Sequence, residues 1–296
     1  MPIGLVLSSV LSLQFGGAVA ALLFPHAGVG GVVALRLTIA ALLMLAVCRP
    51  RFRGYGRADW LLVGGFGVAL AGLNTLFYHA IDRIPIGPAV TLEVLGPLTL
   101  SVLTSRRAGG WLWAGLALCG VALLGRAGFG RLDPIGVAFA LAAGAMWAAY
   151  IVFSARVGRR FHRADGLTLS MLIAALLTLP FGVHAFTSPS NLAWGTMVAL
   201  LASVLPYTLE MLALRRLPTS TFAVLMSLGP VAASLAGFLL LDQHLAALEI
   251  FAIALVVTAN IAAVLTTTRP PAPRVPSPAD RRPLSGRRSS RIRTDS

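Results

Sequence analysis

The sequence has no lysine and little charge of either sign: only 11% of its 296 residues are charged, and ten are acidic. Soluble domains carry charge on about a quarter of their residues, so this scarcity argues against a water-soluble protein. Its two cysteines, Cys48 and Cys119, have no metal-ligand spacing around them and predict neither a disulfide nor a metal site. The chain also lacks a phosphate-binding loop and a paired acid and base, so we expect no cofactor and no enzymatic activity.

Apolar residues, by contrast, make up 57% of the chain and occur in long blocks. A hydrocarbon core about 30 Å thick requires roughly 20 apolar residues per helix. This length predicts an all-α membrane protein with ten transmembrane spans. The predicted spans are 3–23, 30–48, 59–80, 86–104, 110–126, 135–154, 166–184, 193–214, 219–241 and 247–267.

The arginines are distributed unevenly between the two sides of this arrangement. The connections after the second, fourth, sixth and eighth spans, together with the C-terminal tail, hold 20 of the 24 arginines. The other side has only Arg83, Arg126 and Arg131, and Arg36 lies inside a span. Basic loops stay in the cytoplasm, so we expect a multi-pass protein with both termini cytoplasmic.

The two halves of the chain resemble each other. Arg83-Ile84-Pro85 is followed by Gly96-Pro97, and Arg216-Leu217-Pro218 is followed by Gly229-Pro230, at a constant offset of 133 residues. This offset contains five spans, an odd number, so the halves enter the membrane in opposite directions. We therefore predict an inverted repeat, an arrangement typical of transporters of small molecules.

The predicted organisation has three parts. The first repeat covers residues 1–134 with five spans, and the second covers residues 135–268 with the other five. Residues 269–296 contain six prolines and eight arginines, which predicts a disordered cytoplasmic tail that contacts anionic membrane lipid. The tail has no aromatic residue to stack on a base, so we expect no nucleic-acid partner.

Two ionisable residues lie at similar depth within spans. Arg36 is about six residues into the second span and Glu93 about seven into the fourth, which places both near 10 Å from the same membrane surface. Ionisable groups at this depth are costly and indicate function. One interpretation is a permanent Arg36–Glu93 salt bridge that only locks two helices, a second is a pair that gates transport or binds substrate, and a third is that the two residues have separate roles.

Glu210 on the eighth span shares a polar face with Ser203, Pro206 and Tyr207. This face should line an interior. Two interpretations of Glu210 stay open: a substrate or proton site, or a carboxylate that reaches the membrane surface to pair with Arg215 or Arg216.

Other polar residues within the spans are candidates for substrate contacts, although amides in membranes often serve only to hold helices together. They are Gln14 on the first span, Asn74 and Tyr78 on the third, Trp147 and Tyr150 on the sixth, and Asn260 on the tenth.

Several segments resemble the bacterial inner-membrane threonine and homoserine exporters of the drug/metabolite transporter superfamily. The resemblance extends over all ten spans. It is carried by Ala34–Leu37, Leu73–Tyr78, Ile84–Gly87, Leu92–Pro97, Ser105–Arg107, Leu205–Met211, Leu217–Thr219 and Leu225–Ser227.

The resemblance implies two EamA-type repeats and export of a small amino acid such as threonine or homoserine by proton antiport. The implied partners are this substrate, protons and membrane lipid, with a homodimer as a further expectation. Export of drugs or other metabolites is the alternative, and a membrane-embedded enzyme or scaffold is a distant one. The sequence departs from the family at Leu228-Gly229-Pro230, where Glu-Pro is typical, which leaves Glu93 and Glu210 as the candidate proton carriers.

Overall fold

The computed structural model describes residues 2–52, 54–105, 108–128, 133–161, 164–214 and 216–267, and every regular element in these ranges is helical. The predicted tail, 269–296, lies outside them. The α-helices are α1 (Pro2–Cys48), α2 (Arg57–Ile81), α3 (Ile86–Glu93), α4 (Leu95–Ser105), α5 (Ala108–Gly128), α6 (Pro134–Arg160), α7 (Asp165–Thr178), α8 (Pro189–Ala199), α9 (Leu205–Leu214), α10 (Thr219–Met226), α11 (Gly229–Leu241) and α12 (Ala247–Thr267). Two 3₁₀ turns, Leu179–Phe181 and Val183–Thr187, follow α7, and a π-helical turn, Leu200–Val204, joins α8 to α9.

Seven helical segments among the described residues are long and apolar enough to cross a membrane. The all-helical membrane architecture agrees with the prediction, whereas the count of ten spans stays a prediction. One reason for the lower number is that α1 contains the first two predicted spans in one element. Another is that Asp165–Phe181, at the seventh predicted span, is a shorter apolar helix. The third is that α5, at the fifth predicted span, is not among the seven segments.

Gly28 divides α1 into two helices. At 47 residues, α1 would be about 70 Å long if straight, more than twice the thickness of a hydrocarbon core. Gly28 has φ 67° and ψ 158°, a conformation that essentially only glycine adopts. The chain thus passes from the first predicted span to the second without a loop.

Two helix breaks occur at equivalent places in the two halves. The first separates α3 from α4 at Val94, and the second separates α10 from α11 at Ser227 and Leu228. Pro97 and Pro230 follow these breaks, and neither can donate the backbone hydrogen bond that would continue the preceding helix. The breaks are related by the same 133-residue offset as the sequence motifs.

Most of the packing between helices follows the same relation. α2 packs against α6 and α7, α1 packs against α7, α8, α9 and α11, and α5 packs against α12. α3 packs against α11 as well, but the repeat-related helices α10 and α4 do not pack closely within the described residues. Small residues bring backbones close at the crossings, as is usual in membranes. A Cβ atom on Gly96 would collide with the carbonyl oxygen of Gly144 on α6, and one on Gly144 would lie 2.6 Å from the carbonyl oxygen of Glu93.

Charged groups near the helix ends form pairs. Arg83 donates to Asp133 at 2.9 Å, and this hydrogen bond holds the pKa of Asp133 below its usual range. At the other end of the bundle Arg160 donates to Asp59 at 2.6 Å. Nearby, burial and donation to Asp165 raise the pKa of Tyr55.

We predict that Gly96→Ala destabilises the protein by about 1–3 kcal/mol, because the new methyl group overpacks the crossing of α4 with α6. Thermal unfolding in detergent measures the effect. Gly64→Ala is the matched control, since its methyl group would meet nothing within 4 Å and alanine favours a helix. Equal unfolding temperatures for the two variants would contradict the close crossing.

Candidate functional site

A cavity of about 200 Å³ lies within the helix bundle, where α1, α2, α3, α6 and α9 surround the break between α10 and α11. Seven of the candidates from the sequence line it. They are Gln14, Arg36, Asn74, Glu93, Trp147, Tyr150 and Glu210. The cavity also has an apolar wall that includes Val10, Leu13, Leu70 and Val90.

The lining repeats between the halves of the chain. Five pairs of lining residues are related by the 133-residue offset: Gln14 and Trp147, Gly17 and Tyr150, Leu73 and Pro206, Phe77 and Glu210, and Glu93 and Met226. The two halves therefore contribute equivalent positions to one cavity. The chemistry at these positions differs, because the residue related to each carboxylate by the offset is apolar.

Arg36 is held by groups from two other helical segments. Its Nη1 donates to the Tyr78 hydroxyl at 2.9 Å, its Nη2 to the carbonyl oxygen of Ala202 at 2.9 Å, and its Nε to Ser203 Oγ at 3.3 Å. The residue is only 8% exposed and Tyr78 is fully buried. A guanidinium has five N–H donors, so two remain for the cavity.

Pro206 explains why the Ala202 carbonyl is available. A helix would pair this carbonyl with the N–H of residue 206, which proline lacks. The π-helical turn shifts the pairing so that Leu205 donates to Leu200, and the Leu201 carbonyl also loses a helical partner. Ser12 donates to the Leu201 carbonyl at 2.7 Å. The side chains of Ser12 and Arg36 thus satisfy two carbonyls that the proline leaves unpaired.

Glu93 lines the same cavity as Arg36 but forms no ion pair with it. The ion pairs among the described side chains do not include Arg36–Glu93. The permanent salt bridge, one of the three interpretations of the sequence, is therefore absent from this structure, in which three of the five Arg36 donors are directed towards Tyr78, Ala202 and Ser203. No hydrogen bond to the Glu93 carboxylate is found in the described part of the chain.

Glu210 accepts a hydrogen bond of 2.8 Å from Ser9, which also contacts the Pro206 carbonyl at 3.3 Å. Glu210 faces the cavity and forms no ion pair with Arg216 within the described residues, whereas Arg215 lies outside them. Sequence reasoning missed Ser9. The signal was the placement of Ser9 and Ser12 three residues apart on an apolar helix.

The remaining candidates separate into different environments. Tyr78 lies behind Arg36 rather than in the cavity lining, and Asn74 lines the cavity while its Nδ2 donates to the Leu70 carbonyl. Asn260 is not in the lining; its Nδ2 donates to Ser227 at 3.0 Å and joins α12 to the break before α11. Tyr207 lies on α9, and its side chain is outside what the structure describes.

Comparison with known proteins gives a family and several relatives. A model of the EamA-like transporter family matches residues 134–265. The threonine/homoserine exporter RhtA of Salmonella typhimurium is 38% identical over 277 residues, which cover 92% of this chain and 94% of the relative. RhtA of Escherichia coli is 37% identical over 91% of this chain and 93% of its own. An uncharacterized transporter of Bacillus subtilis, YwfM, is 30% identical over 72% of this chain and 76% of its own length.

One solved crystal structure aligns with 90% of this chain and 98% of its own, with a TM-score of 0.58 and 21% identity. At this identity the match shows a shared fold.

We predict that Tyr78 and Arg36 are energetically coupled. Tyr78→Phe removes an acceptor from a buried guanidinium, so it should cost about 1–3 kcal/mol in the wild type and close to nothing after Arg36→Leu. Denaturant unfolding of the single and double variants in micelles measures the coupling. Thr196→Val is the control, since this hydroxyl donates within its own helix, and it should show no coupling to Arg36. Additive effects of Tyr78→Phe and Arg36→Leu would contradict the interaction.

Proposed function

The chain belongs to the EamA-like transporters of the drug/metabolite transporter superfamily, and we propose that it exports small amino acids of the threonine and homoserine type from the bacterial cytoplasm by proton antiport. It is a multi-pass inner-membrane protein whose relatives are named as transporters or exporters. The substrate and the coupling to protons are our proposals.

The observation that carries the proposal is the combination of charges in the cavity. One guanidinium, Arg36, and two carboxylates, Glu93 and Glu210, face a shared volume at membrane depth. A free amino acid is a zwitterion, so it needs both an anion site and a cation site when it leaves water. The two donors of Arg36 that make no hydrogen bond to a described residue suit the substrate carboxylate, because a guanidinium binds carboxylates through paired N–H groups.

Glu93 is the better site for the substrate ammonium or for an exchanging proton, since it makes no hydrogen bond to a described residue. Glu210 already accepts from Ser9 and is the second candidate for proton exchange. A carboxylate that binds either a proton or the substrate ammonium couples the two by competition. Charged residues that face a cavity inside a membrane commonly form such relays.

The size of the cavity bears on the alternative function. Sites for drug-sized ligands measure about 300–1,000 Å³, whereas this cavity measures about 200 Å³. A small metabolite therefore fits better than a drug, and export of another metabolite on the same scaffold is the second candidate.

We further propose ten spans, arranged as inverted repeats of residues 1–134 and 135–268, with both termini in the cytoplasm. The equivalent helix breaks and the five related pairs of lining residues support the repeat. The break at Gly28 supports two spans within α1. The arginine-rich connections support the orientation.

Two pairs of helices that the repeat relates to each other, α3 with α11 and α10 with α4, are packed differently. This difference indicates which side of the cavity is open. α3 packs against α11, with Gly87 close to Ser234 and the Ile86 N–H donating to Gln243. The helices related to this pair by the repeat are α10 and α4, and they do not pack closely within the described residues. In the proposed orientation, α3 and α11 are the external halves of their spans. We infer a cytoplasm-open state that is closed towards the outside.

The functional test is efflux of preloaded threonine or homoserine from proteoliposomes, with and without an acidic exterior. Wild-type efflux should be faster with the acidic exterior, because antiport moves protons inward as substrate leaves. Glu93→Gln should abolish the acceleration, and Arg36→Ala should reduce efflux at least tenfold, since it removes the proposed carboxylate site.

Glu249→Gln is the matched control for Glu93→Gln. Glu249 is buried on α12, accepts from the Ala246 N–H outside the cavity, and keeps an acceptor oxygen after the change. Unchanged transport in both Glu93→Gln and Arg36→Ala would overturn the site. Efflux of other metabolites but not of these amino acids would favour the second candidate.

The proposed open side can be tested with a single cysteine at a lining position. After Cys48 and Cys119 are replaced by serine, Met226→Cys should react faster with an impermeant maleimide from the cytoplasmic side than from the outside. Asp82→Cys, at an exposed position on the opposite side, should react only from the outside. Faster labelling of Met226→Cys from the outside would reverse the assignment of the open side.

A further inference from the structure

Gln14 differs from the other amides of the bundle. It lies on the cavity-facing stripe of α1, at helical spacing with Val10, Leu13 and Gly17, and it is 8% exposed. A primary amide has two donors and an acceptor oxygen with two lone pairs. None of these is used by a hydrogen bond in the described part of the chain. This amide therefore lines the cavity without a hydrogen-bond partner among the described residues.

Two other amides show what a structural role looks like here. Asn260 donates across a helix interface to Ser227, and Asn74 donates to the Leu70 carbonyl of its own helix. Asn260 thus binds another helical segment, as expected of amides that hold membrane helices together, and Asn74 binds its own helix. Gln14 has no such contact among the described residues, so helix association does not explain this amide, and a partner for it can bind only from the cavity that it lines.

Gln14 lies beside a gap at the helix break of the second half. At the equivalent break in the first half there is no such gap. Gly229 begins α11 beside Gln14: a Cβ atom there would lie 3.6 Å from Gln14 Nε2 and 3.8 Å from Val90. The residue related to Gly229 by the repeat is Gly96, which packs directly against the backbone of Gly144. One half thus seals its helix break against a neighbouring helix. The other half leaves room there and places an amide beside it.

The chemistry of an amide suits one group of a hydroxy amino acid. Arg36 is the site for the substrate carboxylate and Glu93 the site for its ammonium, so the group left is the side chain. A hydroxyl both donates and accepts a hydrogen bond, and so does an amide. We propose that Gln14, in the gap beside Gly229, binds the side-chain hydroxyl of the transported amino acid and selects hydroxy amino acids over their deoxy counterparts. This inference rests on the proposed function.

The experiment compares the transport of homoserine and threonine with that of 2-aminobutyrate, which is the deoxy counterpart of both. Wild-type protein in proteoliposomes should prefer the hydroxy substrates. Gln14→Met keeps an unbranched side chain but removes the amide. It should lower the ratio of hydroxy to deoxy transport about tenfold, the effect of losing one or two neutral hydrogen bonds, while the rate for 2-aminobutyrate stays within about twofold.

Gly229→Ala tests the gap by a second route. The added methyl group would make ordinary van der Waals contact with Gln14 and Val90, so the fold should be retained. Because the methyl group occupies space between the amide and α3, the variant should also lower the preference for hydroxy substrates. Asn260→Leu is the control: it removes an amide outside the cavity and should leave the ratio unchanged.

The possible outcomes separate this inference from the proposed function. If the wild type transports none of the three amino acids, both are overturned. If it transports them but Gln14→Met slows all three equally, or if the wild type does not prefer the hydroxy substrates, the role of Gln14 is overturned while amino-acid export stands.

Discussion

The structure depends on one constraint: polar groups at membrane depth must find partners inside the protein or line an internal cavity. Pro206 leaves the carbonyls of Leu201 and Ala202 without helical partners, and Arg36 brings a permanent charge to the same depth. The carbonyl and the charge satisfy each other, because the guanidinium donates to the Ala202 carbonyl. Tyr78 and Ser203 accept from two more of its donors. Arg36 and Tyr78 come from the first half of the chain and Ala202 from the second. The interaction therefore fixes the halves to each other beside the cavity.

Much of the architecture could be predicted from the sequence because membranes impose simple rules. The length of apolar blocks located the helices, and Gly96-Pro97 with Gly229-Pro230 indicated a repeat; the structure has helix breaks just before both motifs. The merging of two spans in α1 could not be predicted. It depends on the backbone angles of Gly28, one glycine among 30.

The candidate site was predictable in its members but not in its contacts. Rarity of polar residues within apolar spans identified Arg36, Glu93 and Gln14, all of which line the cavity. Equal depth suggested that Arg36 and Glu93 would pair, yet depth carries no information about the direction of a side chain. The Arg36–Glu93 pair is absent because other acceptors compete with Glu93 for the guanidinium: the Ala202 carbonyl, which Pro206 leaves without a helical partner, and the Tyr78 hydroxyl.

Both halves of the chain line the cavity, and the 133-residue offset relates Glu93 to Met226 and Phe77 to Glu210, so equivalent positions differ in charge. An inverted repeat with identical halves would have two end states of equal free energy, because exchanging the halves converts one state into the other. In the proposed inverted repeat, the difference in free energy between an inward and an outward state therefore comes from the positions where the halves differ, and the two carboxylates of the cavity are among them. Substitutions at such positions can change the preferred resting state while the packing of the helices is kept.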